Sequence, residues 1–150
     1  MTERDIQEQL DQRYPTEHFD VVLKCWQLVY APIGCYYNHC GEHTEITRAS
    51  IKSPGFQKLM DECRDKAFSL WASGQTTIRV MCICGQGRHR SVAVSSILKA
   101  VYLKMGFNSR GPTHLSKEDW WPGMCHTCEH CKPNAYKEAM TTALAHQLSG

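Results

Sequence analysis

The stretch "VMCICGQGRHRSVAVSSIL", residues 80–98, decides how the chain is read. It joins two apolar runs through a loop that holds a cysteine, two glycines, two arginines and a histidine. "TTIRVMCI" (76–83) is a nearly continuous apolar run, the pattern of a buried central strand in a parallel sheet. Residues 91–105 carry apolar side chains at helical spacing, with Val94, Ile97, Leu98, Val101 and Met105 facing inward and Gly106 as the stop. The loop therefore falls at the carboxyl end of a strand and the amino end of a helix, where α/β sheets take ligands. Backbone N–H groups of Gly85, Gln86, Gly87 and the first helical turn, together with the helix dipole, favour an anion there. Arg90 offers a planar fork for two phosphate oxygens, Arg88 adds charge at the rim, and Ser91 can cap the helix with its hydroxyl turned into the same site. The competing reading is a glycine-rich turn with solvated arginines, but few turns combine all these groups.

Upstream, "HFDVVLKCWQLVY" (18–30) is rich in β-branched and aromatic residues and reads as one strand or two. "APIGCYYNHCGEHTEITRAS" (31–50) reads as a long polar loop. From Pro54 the period becomes helical: Phe56, Leu59, Met60, Cys63, Ala67, Phe68 and Trp71 form one stripe over 54–72, ended by Gly74. A last helix starts at Asn134, a capping residue, with Tyr136, Met140, Ala143 and Leu144 at helical spacing. The expected fold is α/β: a single layered domain over 1–150 with a mostly parallel central sheet and a phosphate-binding strand-loop-helix. A formal charge of +2 is too small to predict nucleic acid or an anionic membrane as partner, so any basic function is local. No run of about eighteen apolar residues occurs, and "MTERDIQEQLDQRYP" is charged where a signal peptide is apolar, which predicts a soluble cytoplasmic protein.

Two families write the loop. Read as C-x5-R-S, with Cys84, Gly87, Arg90 and Ser91 in register, it resembles the phosphate loop of cysteine-dependent phosphatases. That resemblance implies Cys84 as a nucleophilic thiolate and a general acid elsewhere, for which Asp119 in "KEDWWPG" is the candidate. Read as "CGQGRHRSV", it more closely resembles the "CTGGKHRSV" loop of the carboxyl-terminal domain of RapZ-like RNase adapter proteins, with Cys84, Gly87, His89, Arg90, Ser91 and Val92 in place and Arg88 for lysine. "FDVVLK", the helix 54–72 and "THLS" with His114 occupy corresponding positions, so the resemblance spans about 18–118. It implies a phosphosugar-sensing domain that binds an amino sugar phosphate, with RNA contact and a homo-oligomer as family properties, and Cys84 as a close-packed loop residue. In that reading His89 and His114 meet oxygens beside the phosphate. His89, with a reference pKa near 6.5, is expected to make ligand affinity change between about pH 6 and 8.

Nine cysteines in a chain with no secretory signal predict reduced thiols divided between core, metal and chemistry. Cys25, Cys63 and Cys82 lie among apolar residues and read as core. "CHTCEHC" puts Cys125, Cys128 and Cys131 in a C-x2-C-x2-C run, the knuckle that brings thiolates to one tetrahedral zinc ion. Further ligands are sought in "CYYNHCGEH", from Cys35, His39, Cys40 or His43. An iron–sulfur cluster and unligated thiols are the alternatives. Zinc would pin the loop 31–50 to the carboxyl-terminal segment over the anion pocket. Trp120 and Trp121 read either as a stacking platform or as a core cover, and Arg48 and Lys52 as extensions of the positive pocket.

Overall fold

The computed structural model describes residues 3–28, 38–84, 89–115 and 121–149. In order these form α1 (Glu3–Arg13), β1 (Val21–Lys24), a 3-10 turn (Cys25–Gln27), α2 (Thr44–Lys52), α3 (Phe56–Ala72), β2 (Val80–Ile83), α4 (Arg90–Lys104), a second 3-10 turn (Trp121–Gly123) and α5 (Ala135–Ser149). The fold is mixed α/β, as expected, and β1 pairs with β2 in parallel from Val21 opposite Val80 to Lys24 opposite Ile83. Among the described residues the sheet has these two strands and helices dominate, so a layered central sheet is not what they build. With one strand neighbour, β2 is half-buried along its length instead of enclosed on both faces.

One apolar core gathers Val21 and Leu23 from β1, Phe56 and Met60 from α3, Val94 and Val101 from α4, and Leu144 and Leu148 from α5. Each such side chain taken out of water contributes about 1.5–3 kcal/mol, which is what holds the helices on the short sheet. Asp20 fixes the start of the pair. Its Oδ2 accepts from the Arg79 N–H at 2.7 Å and its Oδ1 from Gln75 Nε2 at 2.8 Å. Burial pushes the Asp20 carboxyl up, but the Arg79 N–H, Gln75 and the His18 ring together hold it below its ordinary value.

Several sequence expectations are corrected. The loop reading of 31–50 fails from residue 44, where α2 buries Thr44, Ile46, Thr47 and Ser50. Threonine and serine hydroxyls satisfy themselves on the preceding turn, as Ser50 Oγ does on the Ile46 carbonyl at 3.0 Å, so a polar sequence makes a buried face. The stripe of α3 is buried only over its first half: Phe68 and Trp71 are exposed, and both pack on Phe107 beyond α4. In α5 the inward face is Thr141, Leu144, Ala145 and Leu148, rotated from the expected one, and Tyr136 and Ala143 are exposed. The helix α1 was not anticipated, because its two buried apolar residues, Ile6 and Leu10, sit alone among charges. No described helix is long and apolar enough to cross a membrane.

Candidate functional site

Four side chains from distant parts of the chain converge: one ligand atom each from His39, Cys125, Cys128 and Cys131 lies within 4.8 Å of all the others. His39 Nδ1 and Cys131 Sγ stand 3.1 Å apart. With metal–sulfur bonds of about 2.3 Å, the corners of a tetrahedral zinc site are about 3.5–3.8 Å apart, so the cluster needs only small adjustments to close on one ion. It can hold a metal. Of the further ligands proposed from sequence, His39 is the one brought in.

The others have different places. Cys40 is fully buried and packs against Val92 and Met124, and burial pushes its thiol up. His43 caps α2, accepting the Glu45 N–H on Nδ1 at 3.1 Å, so its ring is neutral with the proton on Nε2. Burial, then the neighbouring His39 and His130 rings, lower His43 to about 4. Cys35 lies outside the described residues.

Main-chain bonds hold the two ligand segments together. Cys125 N donates to the Asn38 carbonyl at 2.7 Å and Thr44 N to the His130 carbonyl at 2.9 Å. Asn134 caps α5 by accepting from Lys137 N at 3.0 Å, and its Nδ2 donates to Thr44 Oγ1 at 2.8 Å. N–H groups of Thr127 and Cys128 aim at Cys125 and lower it to about 7, as suits a ligand thiolate. Burial, then the neighbouring Cys128 and Cys125 thiols, push Cys131 up. The Lys137 ammonium is near enough to Glu42, Cys131, Cys40 and Cys128 to feel their charge, though burial lowers its pKa overall.

The second constellation lies between β2 and α4. The Cys84 thiol donates to Ser91 Oγ at 3.2 Å, which places both side chains at the junction of strand and helix. Arg90 is not simply solvated: its Nη1 donates to the carbonyls of Trp26 at 2.9 Å and Leu28 at 3.2 Å, just past the end of β1. His89 is buried, and its Nε2 donates to the His39 carbonyl at 2.8 Å, so Nε2 carries a proton. Gly85, Gln86, Gly87, Arg88, Asp119 and Trp120 lie outside the described residues, as does the side chain of Trp121, and His114 is half-buried beyond α4. Arg48 lies over the Tyr136 ring at 4.4 Å and donates from Nε to its hydroxyl at 2.9 Å, a surface contact on α5.

Sequence reasoning missed Lys137 and the joining of His39 to His89. The first had a signal in its place one turn after the Asn134 cap; the second had none, because residues fifty apart announce no contact by spacing. No family model, curated protein or solved structure matches the chain.

Proposed function

We propose that this chain is a small α/β domain that binds a phosphorylated small molecule at the start of α4, with a structural zinc ion in the Cys3His cluster beside it. The observation that carries the reading is the meeting of Cys84 Sγ and Ser91 Oγ at 3.2 Å, at the end of β2 and the first turn of α4. That junction offers helix N–H groups, a hydroxyl and the positive end of a helix dipole to one anion, with Arg90 anchored alongside by two carbonyls. The likeness of "CGQGRHRSV" to the RapZ-like loop supports an amino sugar phosphate as occupant. RNA contact and self-association rest on that likeness alone. Zinc is favoured as the metal because three sulfurs and one nitrogen, all from protein, make the closed tetrahedral set typical of structural zinc.

A second reading follows from the same contact. If Cys84 ionises, Ser91 can turn its hydroxyl to donate to the thiolate, which stabilises the charged form. Attack on phosphorus would form a P–S bond and break the P–O bond, the leaving oxygen taking a proton from a general acid. Water would then cleave the P–S bond to release inorganic phosphate. Phosphorus NMR of a panel of phosphosugars, nucleotides and an aryl phosphate separates the two. Selective broadening of one resonance, lost in Arg90→Ala and without growth of inorganic phosphate, is the result expected of a binding domain. Growth of inorganic phosphate that Cys84→Ser abolishes would establish the enzyme instead.

A further inference from the structure

His39 faces two ways. Its ring Nδ1 meets Cys131 inside the ligand cluster, while its main-chain carbonyl accepts from His89 Nε2 at 2.8 Å. The next two residues continue the contact. Cys40 packs on Val92, and Gly41 lies so close to α4 that an added Cβ would stand 2.2 Å from Ala93 N and 2.3 Å from the His89 carbonyl oxygen. Thr47 Oγ1 donates to the Gly41 carbonyl at 3.2 Å and holds the strip from behind. Three successive residues that begin at a metal ligand thus press on residues 89–93, which include Arg90 and Ser91. An ion that fixes the His39 ring also fixes the carbonyl that orients His89. Without the ion, packing and hydrogen bonds alone hold this strip against the first turn of α4.

We propose that metal occupancy of the Cys3His centre governs the anion site: zinc at His39, Cys125, Cys128 and Cys131 and an anion at the start of α4 bind with positive coupling. This rests on the anion-binding reading above. By linkage the coupling is reciprocal, so the anion tightens zinc by the same factor that zinc tightens the anion. The charge of the centre cannot produce it, since three thiolates around a dication leave one negative charge, which repels an anion. The effect has to travel through the packed strip 39–41.

The test compares zinc-loaded with zinc-stripped protein by calorimetric titration with inorganic phosphate and by amide hydrogen exchange at residues 89–93. Far-ultraviolet circular dichroism checks that the stripped chain keeps its helices. Stripping is expected to weaken phosphate binding about tenfold and to speed exchange at 89–93 along with 38–44. Equal phosphate affinity in the two forms, with exchange at 89–93 unchanged, overturns the proposal. Should stripping unfold the chain, zinc-loaded Gly41→Ala decides, because it keeps all four ligands while its methyl displaces the first turn of α4. About tenfold weaker phosphate binding together with weaker zinc retention in chelator competition supports the coupling; weaker phosphate binding with unchanged zinc retention, or unaltered phosphate binding, refutes it. If exchange at 89–93 responds to zinc but phosphate binds neither form, the anion reading itself is overturned, and the governing role proposed here with it.

Discussion

The two ends of α4 are held by different physics. Its middle and carboxyl-terminal half, through Ile97, Leu98 and Val101, sits in an apolar core shared with β1, α3 and α5. Its amino-terminal turn, Arg90 to Ala93, is held as well by close contact with a glycine, by hydrogen bonds to main-chain carbonyls and by a segment that begins at His39, a candidate metal ligand. The apolar half tolerates loss in proportion to the area it gives up. The other half adds to the packing of Val92 and Ala93 a few directional contacts, each of which is either made or lost. The molecule thus joins a graded stabiliser to an all-or-none one along a single helix.

The sharpest way to break this contrast is to remove a ligand. Cys131→Ala should lose on the order of 4 kcal/mol or more, fall well short of one equivalent of zinc by elemental analysis, and leave a urea midpoint that no longer responds to chelator. Met60, fully buried in the apolar half, should behave differently. Met60→Ala should cost about 2–5 kcal/mol in urea denaturation while zinc stoichiometry stays unchanged, because the cavity opens in a core cluster that contains none of the four candidate ligands. Asn134→Ala removes the α5 cap and the bond to Thr44, and is expected to cost about 1 kcal/mol by the same assay, with a modest fall in zinc affinity measured by chelator competition. The smallest effect is electrostatic and belongs to the start of the sheet. Asp20 is held below its ordinary pKa in the folded state, so it contributes stability at pH values above the unfolded carboxylate value. That contribution is lost as the pH falls below about 4 toward the folded value, and the gap in urea midpoint between the parent and Asp20→Asn should close over that range.

The same contrast explains what the sequence made legible. The core-facing residues of α4 and the first half of α3 were readable because burial on one side of a helix writes a period of 3.6. The parallel pairing of "FDVVLK" with the strand before Cys84 was likewise within reach of the apolar pattern. Among the candidate ligands the C-x2-C-x2-C run was visible as a knuckle, but the fourth member of the cluster was left among four candidates. Spacing shows which thiols can share an ion; it does not show which loop returns to meet them. The helix α2 was hidden for a related reason: Thr44, Thr47 and Ser50 bury polar atoms whose partners lie one turn back or across the chain, so no apolar stripe appears. Phe68 and Trp71 misled in the opposite direction, since their period matched a core face and their partner is the exposed Phe107.

The separation of the ligands in the chain bears on how the molecule is made. His39 and Cys131 are 92 residues apart. At synthesis rates of about 5–20 residues per second, His39 waits on the order of 5–18 s for its last partner to be polymerised. During that interval α4 can form before the segment that carries Cys125, Cys128 and Cys131 exists. A metal ion held by all four side chains can be captured only once Cys131 has been made.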